Sequence, residues 1–109
     1  MGNLEATKNA ITNLKSTIDS TGAKTILYET QADYIGNDFI IDGTSIYFDN
    51  ITLQNYMTKF YFSLGNKFDC KVAPVGVNYT RCMKEYPEIN LYNSDMIHPT
   101  LEGSYLAAC

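Results

Sequence analysis

Two residues in this sequence have types and spacing suited to chemistry: Asp95 and His98, in the stretch Ser94-Asp95-Met96-Ile97-His98-Pro99-Thr100. His98 is the only histidine. An aspartate three residues ahead can accept a hydrogen bond from one ring nitrogen. That bond fixes the tautomer and steadies the imidazolium when the other nitrogen takes a proton. Pro99 stiffens the turn that holds the ring. The pair is thus two parts of a nucleophile–base–orienter arrangement. Spacing alone also admits a structural histidine in a loop or at a helix start. A metal pair is a further reading, but no second histidine or close cysteine completes its ligand set.

The third part has no local signature. The serines are Ser16, Ser20, Ser45, Ser63, Ser94 and Ser104, and none sits in a glycine-rich elbow. Ser16 and Ser63 fall within predicted helices, Ser20 falls near a helix end, and Ser94 merely adjoins Asp95. A cysteine nucleophile at Cys70 or Cys82 lacks a defined electropositive setting. Cys70, Cys82 and Cys109 are an odd set with no close pair, which argues against a disulfide framework or a zinc site and for small buried apolar residues.

The elements that must carry the pair follow from periodicity. Leu4, Ala10, Ile11, Leu14 and Ile18 recur at helical spacing, and Gly22 stands where a C-cap belongs, giving a helix from Asn3 to Thr21. The apolar run Ile26-Leu27-Tyr28 predicts a buried strand from Lys24 to Glu29. Thr30 to Phe48 is irregular, with room for a hairpin around Asp42-Gly43, where Phe39, Ile41, Ile46 and Phe48 partly alternate. Gly36-Asn37-Asp38 reads as ordinary turn composition. Asp49 or Asn50 caps a second helix that carries Leu53, Tyr56, Met57, Phe60 and Leu64 and ends at Gly65. A strand follows from Cys70 to Val75, then a short helix from Val77 to Glu85 broken by Pro87, then an extended Ile89–Tyr92. The last helix runs from its N-cap Thr100 to the end. Gly103, costly early in a helix, marks a close contact that excludes a side chain.

Helices alternating with strands imply parallel strands joined by right-handed crossovers. In open α/β sheets, sites form beyond the carboxyl ends of the strands, and Asp95 and His98 follow the last extended segment. The 109 residues suffice for one small domain, and 45% hydrophobic content permits a real core. The net charge is −4, with no Lys/Arg stripe, which speaks against nucleic acid or an anionic membrane as partner. No apolar run approaches the ~20 residues of a membrane span. Met1–Ala10 lacks the apolar core of a signal peptide, and Ala6 breaks a near match to a myristoylation signal. The compartment stays open.

The run SDMIHPTLEGSYLAA, Ser94 to Ala108, resembles the final block of the SGNH (GDSL-type) hydrolases, in which Asp-x-x-His-Pro carries two members of a Ser-His-Asp triad. TILYET, KVAPVGVNY and INLYNSDMIHP look like the second half of such a domain, so the resemblance spans about Ala23 to Ala108. It implies a three-layer α/β/α, flavodoxin-like fold, here incomplete, with a short parallel sheet of two or three strands. It implies His98 as general base, Asp95 as its orienter, Pro99 and Gly103 as structural residues, and no obligatory metal or cofactor. The substrate class it implies is an acyl or acetyl ester, cleaved by an esterase, lipase or carbohydrate deacetylase type of enzyme. The family's Gly-Asp-Ser block and oxyanion donors have no counterpart here. The expectation is therefore one partial α/β domain over 1–109, the C-terminal half of such a hydrolase, inactive or nearly so alone. The alternative is a non-catalytic α/β module that uses an exposed sheet edge for a partner or a homodimer.

Overall fold

The computed structural model describes residues 4–109. Asn3, the expected start of the first helix, and the side chain of Leu4 lie outside the described residues. The chain runs through α1 (Leu4–Ser20), β1 (Ile26–Glu29), β2 (Asn37–Ile41), β3 (Thr44–Phe48), α2 (Asn50–Phe68), β4 (Lys71–Pro74), α3 (Val75–Glu85) and α4 (Leu101–Ala108). It is a mixed α/β arrangement. β1 and β4 pair in parallel, from Ile26 opposite Lys71 to Glu29 opposite Pro74. β2 and β3 form a separate antiparallel hairpin, Asn37 opposite Phe48 to Ile41 opposite Thr44.

Several elements match local chemistry closely. Asp42 and Gly43 both adopt positive φ, 50° and 77°, the geometry a two-residue hairpin turn needs to match strand twist. The register puts Phe39, Ile41, Ile46 and Phe48 on one hairpin face. Asp49 caps α2 by accepting the Thr52 N–H at 2.7 Å, and Thr100 caps α4 by accepting the Gly103 N–H at 3.1 Å.

Three boundaries differ from expectation. Gly65 does not end the second helix. It is buried inside α2, and a Cβ there would lie 2.8 Å from Val72 and 3.0 Å from the Cys70 carbonyl. The glycine serves close approach of β4, and α2 ends instead at Asp69 in the left-handed conformation. α3 begins at Val75 rather than Val77, directly after Pro74, so the strand is shorter than read. The Ile89–Tyr92 segment adds no third strand and contributes one bridge, Tyr92 to Pro99. The cysteines are not the fully buried residues expected: Cys70 and Cys82 are half-buried, and Cys109 is exposed.

α2 packs across both strands of the parallel pair, and α3 contacts β1, α2 and α4. The tightest core lies under the candidate site, where Val75, Tyr79, Leu91 and Tyr92 are buried together. Tyr79 and Tyr92 meet edge to face at 5.5 Å. Gly103 gives the close contact expected of it. An added Cβ would collide with the Leu91 carbonyl, and it would stand 2.5 Å from the Tyr79 hydroxyl. Among the described residues, no helix is long and apolar enough to cross a membrane.

Candidate active site

Backbone hydrogen bonds fold residues 90–100 into a closed loop. The Thr100 N–H donates to the Leu91 carbonyl at 3.0 Å and the Asn93 N–H to the His98 carbonyl at 2.8 Å. The Asn93 side chain donates to the Pro99 carbonyl at 3.0 Å, and the Thr100 hydroxyl to the Asn90 carbonyl at 2.7 Å. Leu91 and Tyr92 anchor the base of this loop in the core, so its tip stands on a packed support. Met96, at φ 62°, lets the chain reverse between Asp95 and His98. That left-handed conformation is uncommon outside glycine. The Asp95 side chain stabilises it by accepting the N–H groups of Ile97 and His98 at 3.0 and 2.9 Å.

The other carboxylate oxygen of Asp95 lies 2.6 Å from His98 Nδ1. His98 donates this bond and holds the Asp95 carboxyl down at about 2, with the Ile97 and His98 amides adding to the effect. An ionised carboxylate can only accept. Nδ1 therefore carries the proton of this bond, and that tautomer of the ring has its lone pair on Nε2. No other described residue bonds Nε2, and the side chain is 73% exposed. Asp95 and His98 thus make the side-chain hydrogen bond that their spacing permits. Among the described residues, no group of three potential metal ligands gathers around it.

His98, with Ile97 and Pro99, forms one side of a cleft of about 740 Å³. Thr30, Gln31, Ala32 and Asp33, the residues beyond the carboxyl end of β1, form another side. α2 and the hairpin add Leu53, Tyr56, Met57, Phe60, Phe39 and Asn37, and α1 adds Thr7. The two sides are tied together. The Tyr34 N–H donates to the Met96 carbonyl at 2.9 Å, and the Tyr92 hydroxyl donates to the Ala32 carbonyl at 2.8 Å. Burial pushes that Tyr92 hydroxyl up to about 12.

Residues 30–33 are held in turn by a buried polar cluster that spacing did not reveal. Glu29 is fully buried at the end of β1. It accepts from the Thr58 hydroxyl at 2.6 Å, Gln54 Nε2 at 2.8 Å and the Val77 N–H at 3.3 Å, the last in the first turn of α3. Gln54 also accepts the Ala32 N–H at 2.6 Å. The signal in the sequence was polar: Asn50, Gln54 and Thr58 recur every four residues along one face of α2. The cleft-lining Tyr56, Met57 and Phe60 were legible only as the repeating apolar positions of the second helix, because helical spacing does not say which neighbour they meet.

Of the six serines, Ser94 lies in the turn before Asp95, and the others lie on α1, β3, α2 and α4. No serine or cysteine is among the described residues that line the cleft. No family model matches the sequence, and no curated protein and no solved structure matches it either.

Proposed function

We propose that the Asp95–His98 pair is the base half of a serine ester hydrolase of the SGNH type, within a three-layer α/β/α arrangement whose remaining strands lie outside these residues. Support comes chiefly from the 2.6 Å Nδ1–carboxylate bond, which leaves Nε2 unpartnered beside a large cleft. His98 takes the proton of a nucleophilic hydroxyl, and Asp95 stabilises the imidazolium that results. The serine and the oxyanion donors come from outside residues 4–109, and the ester is of the acyl or acetyl class.

Intact-mass analysis after treatment with a fluorophosphonate, on the wild type and His98→Ala, tests where the nucleophile lies. No stable adduct is expected on either chain. A His98-dependent adduct would mean that one of the six serines is the nucleophile. A parallel assay with an activated p-nitrophenyl ester tests the base itself. Slow turnover that disappears in His98→Ala is expected, and identical rates in the two chains would remove the base assignment.

A second reading rests on a different observation. β1 pairs only with β4, and Ile26 and Tyr28 on β1 are more than half exposed. An unpaired strand edge flanked by apolar side chains is a template for another strand. In this reading the chain self-associates as a homodimer through β1. Light scattering that reports a monomer at high concentration would count against it.

A further inference from the structure

We infer that the cleft beside His98 takes an uncharged ester with a straight apolar acyl chain of medium length, rather than an acetyl group or an anionic substrate. This rests on the ester-hydrolase reading above and narrows its substrate. The cleft's volume of about 740 Å³ lies inside the range of roughly 300–1,000 Å³ typical of small-molecule sites. Its far wall is continuous apolar surface from Leu53, Tyr56, Met57, Phe60 and Phe39. An acetyl group held at His98 would leave most of that surface in water. A longer chain would cover it, and the unbranched thioether of Met57 adapts to a flexible chain. On the hairpin side Phe39 meets Phe48 at 5.7 Å, and Phe48 meets Tyr56 of α2 edge-on at 5.6 Å.

Charge selects among apolar ligands. Among the described residues, no lysine or arginine lines the cleft, and Asp33 is the carboxylate that does. Among the same residues, the hydrogen bond to that carboxylate is a long one, 3.5 Å from Asn37 Nδ2. The ionised Asp95 stands just behind His98. An anionic head at the His98 end would meet these two carboxylates with no basic residue to offset them. A neutral ester carbonyl meets only the His98 ring and the polar rim of Thr30, Gln31 and Asn37.

The test is a binding titration that needs no nucleophile. Methyl butanoate, hexanoate and octanoate are titrated into the full chain, and the His98 ring resonances are followed by NMR. Kd should fall about fourfold per added methylene, the factor expected for burying each in apolar surroundings. Octanoate at neutral pH should bind more weakly than methyl octanoate. Met57→Gln should flatten the length dependence, and Tyr105→Ser, outside the cleft, should leave it unchanged. A Kd independent of chain length overturns the inference, as does octanoate binding as tightly as its ester. Length-dependent binding without His98-dependent turnover would keep the acyl site and remove the base assignment. His98-dependent turnover with no length dependence would do the reverse.

Discussion

The loop that carries His98 and the hairpin that faces it across the cleft are built in opposite ways. The 90–100 loop has no regular secondary structure, yet its base is buried and its two limbs are cross-linked by backbone and side-chain hydrogen bonds. The hairpin is regular, with a well-formed turn and full register, yet Ile40 is 76% exposed and Tyr47 59%. It leans on α2 through Phe48 and Tyr56. Order at the site therefore comes from anchoring to the core and not from regularity of the backbone. Local stability follows buried contact, so the irregular loop is the firmer of the two walls.

The largest test of this contrast strikes the support beneath the cleft. Glu29→Ala removes the acceptor of the Thr58 hydroxyl and of the Val77 N–H, and it leaves the buried Gln54 Nε2 with its longer bond to the Thr30 carbonyl. Unsatisfied buried polar groups cost ~1–3 kcal/mol each and the loop residues 30–33 lose their brace, so a loss of ~3 kcal/mol is expected. A urea midpoint unchanged from wild type would show that the cluster bears no such load. Gly103→Ala comes next. The added methyl meets the Leu91 carbonyl and Tyr79, and overpacking at such a site costs about 1–3 kcal/mol. Thermal unfolding should register it, and amide exchange at Thr100 should quicken with it.

Acid should weaken the tip of the loop before it reaches the core. The Asp95 carboxyl, ordinarily at 3.8, sits at about 2 because of His98 first and the two amides after it. A carboxyl lowered in the folded chain adds stability that is complete above its ordinary value and is lost as pH falls through its folded value. Carbon-detected NMR should place the Asp95 midpoint near 2, and in His98→Ala it should move up. A wild-type midpoint near 3.8 would mean that the 2.6 Å bond does not persist in solution. The smallest effect belongs to the hairpin. Ile40→Thr changes a solvent-facing strand residue and should shift stability by less than ~0.5 kcal/mol. A loss of 2 kcal/mol or more would mean that Ile40 is covered by something and would undo the contrast.

A small gain is expected where the core itself is imperfect. The Tyr79 hydroxyl is buried without a hydrogen-bond partner among the described residues, and burial raises its pKa. Tyr79→Phe removes an unpaired polar atom and should leave the melting temperature equal or higher. A clear drop would reveal a partner for that oxygen.

Much of the fold could be read locally. Asp49 and Thr100 announced helix starts because a short oxygen-bearing side chain can accept a first-turn N–H. Asp42-Gly43 announced its turn because both positions tolerate positive φ. Asp95 and His98 were legible for the same reason: three residues is a span over which a carboxylate reaches an imidazole in one turn. Gly103 was legible as a close contact, though not with what. The reading failed where a residue's role depends on a distant neighbour. Gly65 looked like a helix end because sequence shows a missing side chain without showing the strand that needs the space. Tyr56, Met57 and Phe60 marked a helix and no more, because helical spacing defines a face without defining what lies opposite.

The sequence by itself therefore determined the caps, the hairpin turn and the Asp95–His98 bond, all set by contacts within a few residues. Only the tertiary structure decided that residues 30–33, α2 and the hairpin close a cleft around His98. It alone decided that Glu29 holds that cleft from beneath, because these contacts join residues 22 to 62 positions apart. Such pairings depend on how the chain packs, and no local pattern encodes them.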